Sequence, residues 1–163
     1  MPQTCDRPIV EDCAKYLVAR LPEGTVSRTR LTALLYLADR QHILNYGHSL
    51  ADDRFGSRDG KPYGVGTNRV VAVLLANEAS LTIDELNHIS KAIETTLEDI
   101  VETYGGMPDG ALDAALRSLP EADEPGPFSY RRLGIHLGDK DPDAFDDIME
   151  TSRALRWCFE RLR

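Results

Sequence analysis

The chain has 163 residues, of which 42% are hydrophobic and 28% charged, ordinary proportions for a globular protein long enough to bury a core without staples. A net charge of -8 argues against a general binder of nucleic acid or of an anionic membrane, since both surfaces repel it. Cys5, Cys13 and Cys158 are odd in number, scattered and without CxxC spacing, so neither a disulfide framework nor a zinc knuckle is expected.

At the start, "MPQTCDRPIVEDCAKYL" has no signal-peptide core, because Glu11, Asp12 and Lys15 interrupt it. Nowhere do eighteen apolar residues run together. A reduced, cytoplasmic protein is the expectation. Pro8 suits a first helical turn and Pro22 and Gly24 stop the chain, predicting a helix over 8–21 with Ile9, Val10, Cys13, Ala14, Leu17 and Leu21 on one face. Ser27 caps a second helix that runs to Tyr46, with Gly47 just past its end. Leu31, Leu34, Leu35, Ala38 and His42 share one face of it, Leu37 and Leu44 another, and Tyr36 and Ile43 a third. A helix with so little polar surface is surrounded by other elements. It is the predicted centre of the domain.

"RFGSRDGKPYGVG" then changes the texture, with four glycines and a proline. It predicts a loop with a minor β element near residues 52–66. Residues 67–77 are ambiguous on periodicity alone: Val70, Val71 and Val73 favour a strand, whereas Thr67 is able to cap a helix. A long helix is predicted from Thr82, which forms a capping-box pattern with Glu85, through Leu86, Ile89, Ile93, Leu97, Ile100 and Tyr104 to Gly105 and Gly106. A short helix over 111–119 follows, broken by Pro120, and then the exposed loop "PEADEPGP".

"DKDPDAFDDIME" resembles a calcium loop, with Asp139, Asp141, Asp143, Asp147 and Glu150 at ligand positions. The sixth position needs glycine for its sharp turn and holds Ala144, and Pro142 and Asp146 fit poorly. A helix start explains more: Asp141 caps, Pro142 takes the first position, and Arg153, Arg156, Arg161 and Arg163 complement the far end of the dipole. Phe145, Ile148, Met149, Leu155 and Phe159 form its predicted buried stripe.

Two phosphate motifs fail. Three residues separate Gly56 from Gly60-Lys61 where a Walker loop needs four, and Pro62 replaces the magnesium-binding hydroxyl and removes an amide. "GVGTNR" has Arg69 in place of the third glycine of a dinucleotide fingerprint. What survives is a locally positive segment on an acidic protein, with Arg54, Arg58, Lys61 and Arg69 against Asp59. Asp39 and His42 are helical neighbours by spacing alone, and His48, His88 and His136 share no ligand spacing with them. No Ser, Cys or Lys lies in a nucleophile motif such as GxSxG. No catalytic residue, metal or cofactor is therefore expected.

"RLTALLYLADRQHILNYGHSLADDRF" closely resembles the core segment of the Panacea-domain family, the SocA-like antitoxins. The resemblance rests on Leu31, Leu34, Leu35, Tyr36, Ala38, His42, Tyr46, Gly47, Leu50 and Phe55, and is strongest over 28–56. Where the family continues with a His-Gly-Pro-type loop, this chain has Gly60-Lys61-Pro62 and Gly64, a departure from the pattern. The resemblance implies helix over 67–77. It also implies a non-enzymatic antidote that binds and blocks a co-encoded toxin in a prokaryote or phage, with a protease or chaperone as a further partner where such domains act as adaptors.

The expectation is thus a mainly α, compact multi-helix single domain over 1–163, with a central buried helix. Its predicted core is Leu17, Leu31, Leu34, Leu35, Ala38, His42, Leu75, Leu86, Ile93, Leu97, Tyr104, Ile148, Leu155 and Phe159. Arg54, Phe55, Arg58, Lys61, Tyr63 and Arg69 are the predicted partner-binding residues, because exposed aromatics and arginines are the usual anchors of such contacts. The first rival is an enzyme or binding protein for a phosphorylated small molecule that uses the basic 54–69 loop. The second, a DNA-binding regulator, is disfavoured by net charge.

Overall fold

The structure, a computed structural model, describes residues 5–53, 55–58, 61–77, 86–119, 122, 150 and 154. Over these residues the protein is mainly α, with five helices and a two-stranded hairpin. Helix α1 spans Arg7–Arg20: Asp6 accepts from the amide of Ile9, Pro8 lies in the first turn, and the amide of Leu21 closes on Leu17 before Pro22. Helix α2 spans Arg28–Tyr46, opened by Ser27 Oγ accepting from the amide of Arg30 at 3.1 Å. It is closed by Gly47 at φ 73°, a left-handed conformation that costs a glycine little.

Every residue from Arg30 to Asp39 is buried, and α2 packs against α1, α3, α4 and the hairpin. This is the environment its all-round apolar surface requires. Strand β1, Phe55–Arg58, pairs antiparallel with β2, Lys61–Gly64, in the register Phe55↔Gly64, Gly56↔Tyr63, Ser57↔Pro62 and Arg58↔Lys61. Helix α3, Val65–Ala76, follows without a break and buries Thr67, Val70, Val71 and Leu74. The ambiguous segment is helix.

Helix α4 spans Lys91–Tyr104 and turns Ile93, Thr96, Leu97 and Ile100 to the core. Its start corrects the sequence reading. Residues 86–90 are not helical, and the working cap is Ser90, whose Oγ accepts from the amide of Ile93 at 3.2 Å. The proposed capping pair Thr82 and Glu85 lies outside the described residues. Asp12 of α1 is what holds the non-helical approach: its Oδ2 accepts from both the backbone amide and the Nδ1 of His88, each at 2.9 Å. Helix α5, Asp109–Arg117, starts two residues before the expected point and buries Leu112 and Leu116.

Leu17, Leu31, Leu34, Leu35, Ala38, His42, Ile93 and Leu97 lie in the core as expected, while Leu75, Leu86 and Tyr104 are half-buried against it. Ile148, Leu155 and Phe159 lie outside the described residues. So do the acidic 139–149 run and the helix expected after it, apart from Glu150 and Ala154, both helical. No described helix is long and apolar enough to cross a membrane.

Candidate partner-binding face

The polar side chains of α2 do not converge. Asp39 is fully buried, and its Oδ1 accepts from Ser49 Oγ at 2.9 Å and from the amides of Leu50 and Ala51 at 2.5 and 2.8 Å. One carboxylate oxygen therefore fixes the chain as it leaves α2. Burial pushes the Asp39 carboxyl up to about 7, against the pull of these donors, and the charge of Asp53 adds to the rise.

His42, one turn on, looks elsewhere. Its Nδ1 lies 3.1 Å from Thr96 Oγ1 on α4, and its ring packs against Tyr46 and His48. The Thr96 hydroxyl donates to Ala92 O at 3.1 Å, so His42 carries its proton on Nδ1 and donates to Thr96. Burial lowers its pKa to about 4, helped by the charge of His48, which keeps the ring neutral.

Arg30 is the third buried polar group. Its guanidinium donates to the carbonyls of Gly105 and Met107 at 3.0 and 2.7 Å, and reaches Tyr104 O at 3.5 Å. It also pairs with Asp109 at 2.9 Å. Tyr104 and Gly105 end α4 and Met107 lies in the link to α5, so Arg30 gathers the carbonyls of the α4–α5 turn and aligns the start of α5.

A fourth device sets the hairpin against α3. Gly64 occupies the cap position of α3 but has no side chain to offer. Asp53 supplies one from across the hairpin: its buried Oδ2 accepts from the amide of Thr67 at 2.6 Å. The orphan donor of the first turn is satisfied by a carboxylate eleven positions before the glycine, where the helix dipole also favours negative charge.

The hairpin's two faces then sort the expected binding residues. Side chains alternate across a strand pair, so Phe55, Pro62 and Gly64 turn inward while Arg58, Lys61 and Tyr63 turn outward. Phe55 is 4% exposed and meets the Tyr36 ring edge-on at 5.3 Å. The expectation of an exposed anchor at Phe55 is therefore corrected: it is core. The register decides this, because it sets Phe55 on one face with Pro62 and Gly64, both buried. Arg54 lies outside the described residues.

Arg58 is exposed, with its guanidinium carbon 5.0 Å from the centre of the Tyr63 ring. Lys61 is 3.6 Å from Asp113 of α5, and Arg69 is exposed on α3. Two residues not foreseen complete the arrangement. Asn68 Nδ2 donates to the Tyr63 hydroxyl at 3.1 Å, and Arg28 Nε donates to Asn68 Oδ1 at 2.8 Å. A continuous polar chain therefore runs from the start of α2 through α3 to strand β2 of the hairpin. Nothing local in the sequence marks it, because residues 28 and 68 are forty positions apart.

Among the described residues no group of three or more His, Cys, Asp or Glu side chains is placed to hold a metal ion. Comparisons with protein-family models, with curated proteins and with solved structures found no match.

Proposed function

We propose that the protein acts by being gripped: it is the antidote of a toxin–antitoxin pair, and neutralises a co-encoded toxin by direct contact. The observation that carries this reading is the division of labour among its polar residues. Asp39 and His42, the pair that acid–base chemistry at α2 would need, are turned to different partners, Ser49–Ala51 and Thr96. Arg30, Asp53 and Asp12 likewise hold helix ends and loop entries. The outward residues of the hairpin and α3 take no part in that internal work and are available to another molecule. A rigid scaffold with a separate contact surface is what inhibition by binding requires. The resemblance of residues 28–56 to Panacea-domain antitoxins supports the same reading, and a protease or chaperone belongs to it as a further partner.

The rival, a binder of phosphorylated small molecules, has Arg28 and Arg58 in its favour. A small cleft does lie beside the hairpin, between Lys61, Arg30 and α5, but Asp109 and Asp113 line it and repel a phosphate. Thermal stabilisation by a nucleotide at micromolar concentration, abolished in Arg58→Ala, would favour this rival.

The deciding experiment expresses the neighbouring reading frame with and without this protein. The proposal requires growth arrest only in its absence and co-purification of the two products. A harmless neighbour that forms no complex overturns it.

A further inference from the structure

The chain carries 27 acidic against 19 basic residues, yet the described outward residues of the hairpin and α3 carry the opposite sign. Arg28, Arg58 and Arg69 are all exposed on it. Between residues 53 and 77 the one described carboxylate is Asp53, which is buried and engaged by the amide of Thr67. The arginines of this face make no ion pair among the described residues. Arg28 is held through Nε alone, which leaves the fork of its two terminal nitrogens pointing away from that bond. Arg58 is held against the Tyr63 ring. Both guanidinium groups are thus positioned before any partner arrives, so less rotamer freedom is lost when they bind.

An apolar stripe runs beside them. Val65 and Val73 are 47% and 58% exposed, and with Arg69 they stand four residues apart along α3, on the side opposite Val70, Val71 and Leu74. The two valines are about 12 Å apart along the axis, two helical turns. An arginine between two exposed valines is a poor solvent face and a good contact face, because a buried apolar centre with charged neighbours is the usual plan of a protein interface.

Resting on the reading that this protein works by binding another, we infer that this face takes an acidic protein segment: one that sets carboxylates against Arg28, Arg58 and Arg69 and lays apolar side chains over Val65 and Val73. A planar guanidinium matches a carboxylate with two parallel hydrogen bonds, which supplies orientation as well as attraction. The alternative polyanion, duplex nucleic acid, shares the charge but offers nothing to the valines and is repelled by the rest of the molecule.

The test needs no neighbouring gene. The full chain is titrated by fluorescence anisotropy with a short helical peptide carrying glutamates beside a leucine stripe, with its lysine counterpart, and with a short DNA duplex. Arg58→Glu/Arg69→Glu is compared with wild type, and Lys91→Glu, an exposed reversal on α4, serves as the control. The acidic peptide is expected to bind selectively, to weaken about tenfold or more in the double reversal and to weaken with added salt, while Lys91→Glu leaves it unchanged. No binding of the acidic peptide, equal binding of the lysine peptide, insensitivity to the reversal, or displacement of the peptide by DNA overturns the inference. Toxin rescue distinguishes it from the reading beneath it. Rescue that survives Arg58→Glu/Arg69→Glu sinks this face alone, whereas a harmless neighbour beside intact peptide binding sinks the antitoxin reading alone.

Discussion

The carboxylate of Asp53 occupies the space that a side chain on Gly64 would need. A Cβ added at Gly64 collides with Asp53 Oδ2 and comes within 3.1 Å of the Phe55 ring. The glycine is required by this close approach and not by its backbone angle, since its φ is -107°. Gly64→Ala is expected to destabilise the protein by about 1–3 kcal/mol through overpacking. Asp53→Ala costs about 1 kcal/mol for the lost cap, and in the double variant the two costs fall well short of their sum, because the clash has gone. A urea-denaturation cycle measures this. Full additivity would show that the two residues do not compete for the same space.

Arg30 gives a second prediction, decided by which of its partners is exposed. Asp109 is 79% exposed, so Asp109→Ala is expected to cost at most about 1 kcal/mol. Arg30→Met removes the donor shared by the carbonyls of the α4–α5 turn and costs about 2–3 kcal/mol. Arg30→Lys recovers only part of that, since one ammonium cannot reproduce the planar fork. Equal losses in Asp109→Ala and Arg30→Met would show that the ion pair, and not the cap, carries the energy.

The pH profile follows from two buried groups with opposite signs. Asp39 has a folded pKa of about 7 against 3.8 unfolded, so its proton is held more tightly in the folded state. Its contribution is fully present at low pH and is lost as pH rises towards 7. His42 has a folded pKa of about 4 against 6.5, so its contribution is lost as pH falls from 6.5 towards 4. Across this shared window the slopes oppose, and the wild type should be nearly flat. Asp39→Asn keeps acceptors for the three donors but removes the charge, and its stability should rise by on the order of 2–3 kcal/mol between pH 4 and 6.5. His42→Asn should show the reverse. Denaturation midpoints at a series of pH values check both signs, and parallel curves for the two variants would contradict them.

Phe55 and Arg58, neighbours on one strand, should separate stability from binding. Phe55→Ala removes a core ring and costs about 3 kcal/mol or more. Arg58→Ala should stay within about 0.5 kcal/mol while weakening the acidic peptide. A stable Phe55→Ala protein would place that ring outside the core.

Much of the scaffold was legible because it is local. Ser27 and Gly47 bracket α2 by side-chain chemistry and backbone handedness, and the leucines between them announce a helix surrounded on all sides. The start of α4 was not legible, because Leu86 and Ile89 continue the apolar spacing of Ile93 and Leu97 although residues 86–90 leave the helix. Their conformation depends on Asp12, some seventy-six positions earlier. The candidate face was half legible for the same reason. Its cations stand out in the sequence, but their order depends on Asn68 reaching both Tyr63 and Arg28, and Phe55 changes sides once the hairpin register is known.

The anchors at Asp39 and Asp53 have a consequence for evolution at this surface. One pins the exit of α2, the other locks the hairpin to α3, and the amide of Asp6 ties α1 to Ala51 at 2.8 Å between them. Every one of these ties is made by groups turned inward. Outward positions such as Arg58, Val65, Arg69 and Val73 carry none of these ties: they can be rewritten to follow a changing partner without the platform having to be re-engineered, and natural variation should concentrate there while the inward carboxylates stay fixed.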